Sequence, residues 1–225
     1  MQRIFIFPDF QPDALFCFSS REFDASKNLP LFLDTIGVAR DRHFTLEQVH
    51  GNRVFVPRPG HVGTGTRPEA DSLVTDERGL ALVIRTADCV PVFFLDREKP
   101  AIGLCHAGWR GAQKKIVSKT IEVLRGEFHS RPESLKVALG PSICQNCYEV
   151  GEEFEPLFPG FVERRGRQFF FNLRGALKRE LEEAGVQAGS IRESEFCTSC
   201  LVDQFFSARK EGMETGRLIS AAVLK

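Results

Sequence analysis

The sequence has few aromatic residues other than phenylalanine: one Tyr and one Trp accompany 21 Phe among 225 residues. We expect a core of this kind to contain few buried phenolic hydroxyl groups that need hydrogen-bond partners. The chain also lacks an excess of either charge, because 30 Lys and Arg balance 30 Asp and Glu. Nucleic-acid-binding proteins typically show a basic excess, so we expect no nucleic-acid partner. The composition indicates nothing about protein partners.

Long hydrophobic runs are missing as well. No stretch approaches the roughly 20 consecutive apolar residues of a membrane-spanning helix. The first apolar segment, MQRIFIF, is interrupted by Pro8 and Asp9 and is too short for a secretory signal peptide. We therefore expect a cytoplasmic protein without membrane contact. Its seven cysteines fit that compartment, where clustered cysteines more often bind metals or act in catalysis than form disulfides.

The patterns that are present predict a layered fold. Strands are predicted where short apolar runs have strand length, at residues 71–75, 80–85, 90–95, 101–105, 135–139 and 217–224. Helices are predicted at 111–128 and 172–184, where apolar residues recur at helical spacing. We expect an α/β or α+β protein in which residues 1–225 form a single domain, with central mixed β-sheets flanked by helices. The Pro- and Gly-rich segment 57–69 is predicted to be a loop that covers a site.

Three short segments carry metal-type side chains beside small or turn-forming residues: QVHG with His50, TADCV with Cys89, and LCHAG with His106. Two imidazoles and one thiolate suit tetrahedral zinc, and three protein ligands leave a fourth position open, as in catalytic sites. The spacing alone does not bring these residues together. A cysteine beside Val and Pro is usually a small core residue, and a single histidine is usually only hydrogen-bonded.

Two other interpretations of the same residue types stay open. In a Cys–His hydrolase acting on amide or peptide-like bonds, Cys89 is the nucleophile and His106 its base, oriented by Asp88 or His50. The second interpretation concerns two C-x-x-C pairs, Cys144/Cys147 and Cys197/Cys200, which have the pattern of a structural zinc site with four thiolate ligands. The segment between the pairs is longer than a compact zinc ribbon requires.

A resemblance to a known family extends over nearly the whole chain. The blocks TADCVPVFFLD (86–96) and AIGLCHAGWRG (101–111) resemble the signature of the laccase-domain family. Further blocks agree in the same order: LEQVHGNRV, ADSLVTD, LGPSICQNCYEVG, FCTSC, FFSARKEG and TGRLISAAVL. Near the start, Arg21 keeps the family's arginine, but Glu22 and Phe23 replace its Gly-Gly pair.

The resemblance implies a function and a set of residues. Family members were first described as multicopper polyphenol oxidases and later as zinc-dependent purine nucleoside phosphorylases. The implied substrates are a purine nucleoside and phosphate, with adenosine deamination as a side activity. The implied metal ligands are His50, Cys89 and His106, and we expect catalytic roles for Asp88, Cys89 and His106. Arginine forks suit phosphate oxygens, so the expected phosphate-binding residues are Arg21, Arg110 and Arg209. Asp71, in the block ADSLVTD, is the remaining expected substrate-site residue, as an acid/base or as a partner that orients a metal histidine.

Copper is the alternative cofactor to zinc. A site with several copper ions needs more histidines than the five scattered ones readily supply, and His43 and His129 lie in polar, loop-like surroundings. The sequence therefore favours zinc over copper.

Overall fold

A computed structural model describes residues 4–62, 64–65 and 67–225. Six α-helices lie in this part of the chain: α1 (Leu29–Thr35), α2 (Trp109–Gln113), α3 (Ile116–Phe128), α4 (Phe154–Leu157), α5 (Leu173–Glu183) and α6 (Ala208–Glu211). The strands are β1 (Ile4–Ile6), β2 (Ala14–Ser19), β3 (His43–Phe44), β4 (Val54–Phe55), β5 (Ser72–Thr75), β6 (Ala81–Thr86), β7 (Val90–Asp96), β8 (Ala101–Ala107), β9 (Leu135–Leu139), β10 (Glu149–Val150), β11 (Val162–Arg165), β12 (Gln168–Phe171), β13 (Ile191–Glu193) and β14 (Leu218–Leu224).

These strands form three sheets. The first has the order β1-β2-β14-β6-β3, the second β13-β9-β7-β8-β5-β4, and a small third sheet β10-β12-β11. Three neighbouring pairs are parallel, namely β3 with β6, β4 with β5 and β9 with β13, and the other pairs are antiparallel. Both large sheets are therefore mixed, as the sequence predicted.

The two large sheets pack face to face. The apolar layer between them includes Phe16, Leu82 and Ala222 of the first sheet and Leu73, Phe93 and Leu104 of the second. Helices α3 and α5 cover the outer face of the second sheet, and α1 covers the outer face of the first. Because both faces of each sheet are buried, the central strands are continuous apolar runs rather than alternating ones. The layered fold with flanking helices is confirmed.

The predicted elements agree with the structure apart from one helix. The segment predicted as a helix at 111–128 is two helices, α2 and α3, separated by Lys115 in the left-handed conformation with φ 60°. The interruption leaves the Lys114 carbonyl free to accept a hydrogen bond from Asn52 Nδ2 at 2.8 Å. The prediction of a single domain over residues 1–225 stays a prediction. No helix in the described ranges is long and apolar enough to cross a membrane.

Candidate metal centre and active site

Three metal-type side chains come from separate parts of the second sheet and its loops. His50 lies between β3 and β4, Cys89 directly precedes β7, and His106 lies near the end of β8. Strands β7 and β8 are antiparallel, with Pro91 opposite His106. The pairing of two neighbouring strands therefore brings Cys89 close to His106, although the two are far apart in the sequence.

The three side chains form one cluster. Each offers a ligand atom, and these atoms all lie within 4.8 Å of one another. The rings of His50 and His106 meet edge to face, with 4.8 Å between their centroids. Two imidazole nitrogens and a sulfur at this separation fit a single metal ion, because borderline metals bind both donor types tetrahedrally. The cluster of His50, Cys89 and His106 is a group that can hold a metal ion.

A buried carboxylate connects the two histidines. Asp71 is 0% exposed, and its Oδ1 lies 2.8 Å from His106 Nδ1. The same carboxylate accepts hydrogen bonds from the backbone N–H groups of His50 at 3.0 Å and of Gly51 at 2.6 Å. Burial opposes its ionisation, but the hydrogen bonds from His106 and Gly51 outweigh that effect and hold the pKa of Asp71 below its usual range. With Nδ1 bonded to Asp71, His106 directs Nε2 towards the cluster.

The cluster favours the ionised form of the thiol. Burial alone would raise the pKa of Cys89, but the positive charge of His106 and hydrogen bonds from His106 and His50 lower it to about 6. Burial likewise disfavours the imidazolium form of His106, but the charge of Cys89 and the hydrogen bond to Asp71 raise the pKa of His106 to about 9. Thiolate character at Cys89 is what both metal binding and nucleophilic chemistry require.

A glycine makes room for the sulfur. A Cβ atom placed on Gly108 would lie 2.8 Å from Cys89 Sγ and 3.3 Å from His50 Cδ2. Any side chain larger than hydrogen at this position displaces the thiol. The first glycine of HAGWRG, Gly108, is therefore required for a steric reason that the sequence alone does not show.

Asp88 is hydrogen-bonded within the turn before Cys89. Its backbone has φ 86°, a conformation that is rare for a non-glycine residue and that the surrounding structure must hold in place. One carboxylate oxygen accepts a hydrogen bond from Thr198 Oγ1 at 2.6 Å, and the other accepts from the Arg209 N–H at 2.7 Å. The carboxylate partner of His106 is thus Asp71, while Asp88 fixes the turn that presents Cys89.

The cluster lies between two cavities that share His50, Cys89, Ala87, Ala208 and Met213. The first has a volume of about 270 Å³ and is also lined by Gln48, Arg85, His106 and Arg217; we call it the arginine lobe. The second has a volume of about 240 Å³ and is also lined by Asp88, Trp109, Arg110, Ile143, Tyr148, Leu173 and Arg209; we call it the aromatic lobe.

The arginines expected from the sequence are distributed unevenly. In the aromatic lobe, Arg110 stacks on Trp109 at 4.4 Å and Arg209 on Tyr148 at 5.2 Å, measured from the guanidinium carbon to the ring centroid. Arg21 lines neither lobe: its guanidinium binds the Val202 carbonyl and Glu211. Of the arginines that the sequence analysis expected to bind substrate or phosphate, Arg21 is therefore the one whose side chain is bound by other residues of the protein and does not line a lobe.

Two other arginines line the arginine lobe, and the sequence analysis missed them. Arg217 is bonded to the backbone carbonyls of Met213, Thr215 and Gly216. The main chain of Arg85 is bonded to the side chain of Gln48. The Arg85 N–H donates to Gln48 Oε1 and the Arg85 carbonyl accepts from Gln48 Nε2, each at 2.8 Å. Within the described ranges its guanidinium has no hydrogen-bonding or ion-pair partner. Arg85 ends the run ALVIR in β6, and a cation at the end of a buried strand was the available signal.

The remaining histidines lie elsewhere. His43 contacts the Arg40 carbonyl, His129 directly follows α3, and His61 lies against Phe44 and Phe55. In the part of the chain that the structure describes, His50 and His106 are the histidines that belong to a metal-type group. The described residues of segment 57–69 line neither lobe, which corrects the prediction that this loop covers the site; Gly63 and Thr66 lie outside the described residues.

Fold and site together define a layered α/β protein with a His/Cys metal-type cluster in a two-lobed cleft. Residues 20–225 match the family model described as multi-copper polyphenol oxidoreductase laccase. The chain belongs to this family, as the sequence blocks indicated.

Named relatives and solved structures agree with this assignment. The chain is 32% identical to "Purine nucleoside phosphorylase YlmD" of Geobacillus stearothermophilus, over 88% of this chain and 77% of that protein. It is 35% identical to "Adenosine deaminase RL5" from an unknown prokaryotic organism, over 69% of this chain and 62% of that protein. The crystal structure of YlmD superimposes with a TM-score of 0.90 at 26% identity, covering 97% of this chain and 94% of that one. The Bacillus licheniformis hypothetical protein YfiH has the same fold, with a TM-score of 0.93 at 22% identity, covering 100% and 97%.

Proposed function

We propose that this protein is a zinc-dependent purine nucleoside phosphorylase, which converts a purine nucleoside and phosphate into free base and ribose 1-phosphate. The observation that carries the proposal is the position of the metal-type cluster between the arginine lobe and the aromatic lobe. Relatives named for the phosphorylase and for adenosine deamination support the substrate class. Membership of the family supports the metal, and the donor set of two imidazoles and one thiolate supports zinc.

In this proposal the purine base occupies the aromatic lobe and the phosphate occupies the arginine lobe. Trp109 and Tyr148 offer aromatic faces for the purine, since every base has a π-face that stacks on such rings. The adjacent guanidinium groups of Arg110 and Arg209 are donors for acceptor atoms on the rim of the base. Arg85 offers phosphate a fork of N–H donors in the arginine lobe, and this fork has no partner among the residues that the structure describes. The ribose then lies between the lobes, beside the cluster.

The proposed zinc ligands are His50, Cys89 and His106. Asp71 positions His106 by accepting a hydrogen bond from its Nδ1–H. Zinc bound there supplies a Lewis acid beside the reacting sugar. Asp88 holds the Cys89 turn through Thr198 and Arg209. Arg21 acts at a distance, because its partner Glu211 also accepts hydrogen bonds from Ser207 and Thr215 and so fixes the segment that carries Ala208 and Met213.

The activity is tested with the zinc-loaded protein, adenosine and inosine, with and without phosphate, and chromatography of the products. We expect adenine or hypoxanthine to appear only with phosphate, together with ribose 1-phosphate. Absence of base release under both conditions contradicts the phosphorylase. Adenosine deamination is the second candidate, favoured by the likeness to RL5; it is recognised by phosphate-independent formation of inosine.

The Cys–His hydrolase uses the same thiolate and imidazole, so inhibition separates it from the zinc enzyme. A zinc enzyme loses activity with a chelator and regains it with added zinc. A hydrolase with Cys89 as nucleophile is blocked by alkylation and is indifferent to chelation. Activity that survives thorough removal of zinc contradicts the zinc-dependent proposal.

The role of Arg85 is tested by Arg85→Gln. Loss of a charged hydrogen-bond donor costs about 1.5–3 kcal/mol, or about 10–100-fold in affinity. We expect KM for phosphate to rise by that factor while KM for the nucleoside changes little. The matched control is Arg78→Gln, whose side chain is exposed at the turn between β5 and β6. Equal effects on both KM values would show that Arg85 does not select phosphate.

A further inference from the structure

Four cysteines that the cleft does not use lie together at one end of the second sheet. Cys144 and Cys147 follow β9, and Cys197 and Cys200 follow β13. These two strands are parallel neighbours, with Val137 opposite Ile191. Parallel strands end at the same edge of a sheet, and the pairing continues beyond them as a parallel bridge between Ser142 and Cys197. The fold therefore removes the long sequence separation between the two C-x-x-C pairs.

The four sulfur atoms have the separations of a tetrahedral metal site. All lie within 4.8 Å of one another. Cys144 Sγ and Cys200 Sγ are 4.0 Å apart, and Cys147 Sγ and Cys200 Sγ are 3.4 Å apart. Tetrahedral zinc with bonds of about 2.3 Å places its sulfur ligands about 3.8 Å apart, so the observed distances lie on either side of that value.

The surroundings of the sulfurs are arranged as around a metal-bound thiolate. Cys197 Sγ accepts hydrogen bonds from the backbone N–H groups of Cys144 at 3.2 Å and of Cys200 at 3.4 Å. Such N–H···S bonds orient thiolate ligands and offset their charge. All four thiols are free, and only Cys200 is exposed.

A half-buried arginine holds the two cysteine segments together. Arg174 of α5 donates to the Ser142 Oγ at 2.6 Å and to the Ser142 carbonyl at 2.9 Å. It also donates to the Ser194 carbonyl at 2.7 Å and to the Phe196 carbonyl. Four thiolates and one divalent ion carry a net charge of −2, and a guanidinium beside them offsets part of that charge. The sulfurs are thus preorganised by protein contacts.

We propose that Cys144, Cys147, Cys197 and Cys200 bind a second zinc ion, in a closed site of four thiolates with a structural role. Four protein ligands leave no open position, which distinguishes this site from the three-ligand cluster in the cleft. The site supports the cleft wall, because the segments it joins carry two contacts to the turn before Cys89. The Ile143 N–H donates to the Asp88 carbonyl at 3.0 Å, and Thr198 donates to the Asp88 carboxylate.

The test measures zinc per chain by elemental analysis in the unmutated protein and in the double variant Cys147→Ser/Cys200→Ser. We expect the variant to bind one zinc ion fewer per chain than the parent protein. The control is Cys17→Ala, which removes a buried thiol far from both groups in the sequence and should leave the count unchanged. An unchanged zinc count in the double variant overturns the proposal, as does an intact mass that shows these cysteines paired in disulfides.

A second measurement on the unmutated protein covers the case in which the double variant fails to fold. Cobalt replaces zinc and reports its ligands, because sulfur-to-cobalt charge transfer grows with the number of thiolates. We expect a spectrum with the contribution of a four-thiolate site. A spectrum accounted for by one thiolate per cobalt overturns the proposal. Neither measurement uses enzymatic activity, so the outcome is independent of the proposed phosphorylase.

Discussion

At the scale of single residues, the cleft depends on a few atoms at fixed distances. Asp71 is the clearest case, because one buried carboxylate bonds the ring of His106 and the backbone of the His50 loop. It therefore sets the orientation of one candidate ligand and the position of another. Among the described residues, four non-glycine residues have a positive φ, and two of them, His50 and Asp88, lie in this site. Strained conformations are commonly held for function at such sites.

The first prediction concerns Asp71→Asn. The amide removes the negative charge beneath His106 and leaves a competing donor near its Nδ1. Changes to such supporting partners lower metal affinity by about 10–100-fold, and we expect a loss in that range. It is measured by competition with a chromogenic chelator. The control is Asp76→Asn, which should leave the affinity unchanged. Asp76 is exposed and directly follows β5, the strand that Asp71 directly precedes. Parental affinity in Asp71→Asn would show that the carboxylate does not support the metal.

The second prediction concerns Gly108→Ala. The added Cβ meets Cys89 Sγ at 2.8 Å, so the sulfur must move. A displacement of about 1 Å in a reacting site can cost about 100-fold in rate, and we expect kcat/KM to fall by that order while the protein stays folded. Steady-state kinetics and circular dichroism check the two parts.

The control for that variant is Gly126→Ala in α3, where an added Cβ has nothing within 4 Å. Alanine is the better helix former, so this variant should gain about 0.5–1 kcal/mol in the free energy of unfolding with unchanged kinetics. If Gly108→Ala retains full activity, the sulfur tolerates the contact and the steric argument is wrong.

At the scale of elements, two helices on the outer face of the second sheet are joined by a buried carboxylate. Glu180 of α5 is 4% exposed and accepts hydrogen bonds from the Ser118 N–H at 2.8 Å and the Ser118 hydroxyl at 2.9 Å, in the first turn of α3. Burial raises the pKa of Glu180 above 4.5, although the hydrogen bonds from Ser118 and the charge of Lys115 oppose the shift. The hydrogen bonds from Ser118 order the two helices and favour the charged form of Glu180, but burial disfavours that form more strongly.

The third prediction follows from the sign of that shift. The folded state binds the Glu180 proton more tightly than the unfolded state, so its stabilising contribution is complete below about pH 4.5 and is lost as the pH rises through the folded-state pKa. Glu180→Gln keeps an acceptor oxygen and removes the titration. The variant should therefore gain free energy of unfolding relative to the parent as the pH rises from 4.5 to 8, by about 1.4 kcal/mol for each unit of pKa shift.

Urea unfolding of both proteins across that pH range measures the difference. The control is Glu183→Gln at the end of the same helix, whose carboxylate is exposed in an i,i+4 pair with Arg179. Such a pair is worth little, so its curve should run nearly parallel to that of the parent. A constant difference between Glu180→Gln and the parent at all pH values would contradict the prediction.

At the scale of the whole molecule, stability rests on the apolar layer between the two large sheets. Phe93 of the second sheet is fully buried and contacts Phe16 of the first sheet, with 5.2 Å between ring centroids. It also meets Phe7 at 5.6 Å. The many phenylalanines of the sequence thus fill this layer without polar atoms that need partners.

The fourth prediction is that Phe93→Ala lowers the free energy of unfolding by about 3–5 kcal/mol, because it leaves a cavity between the sheets. For a chain of this length, Tm should fall by about 2–4 °C for each kcal/mol. Calorimetry measures the shift. The control is Phe170→Ala on the small third sheet, where the half-buried ring lies against Arg165. Comparable losses in the two variants would show that the layer between the sheets has no special weight.

The sequence by itself determined the central strands, the two main helical regions and the motif residues. Strands buried on both faces are continuous apolar runs, and helices with one buried face have apolar residues at helical spacing. Both patterns can therefore be recognised in short stretches of sequence. The motif blocks also identified His50, Cys89 and His106, and the structure places these residues in one cluster.

Tertiary structure alone decided which side chains meet. The pairing of β5 with β8 assigns Asp71 to His106, the parallel pairing of β9 with β13 joins the two C-x-x-C pairs, and the ends of β6 and β14 bring Arg85 and Arg217 into the cleft while Arg21 is used elsewhere. The break between α2 and α3 at Lys115 likewise could not be predicted from the helical spacing of the apolar residues. These contacts join residues that are distant in the chain. They are determined by strand register and by the course of the loops, which local sequence patterns do not specify.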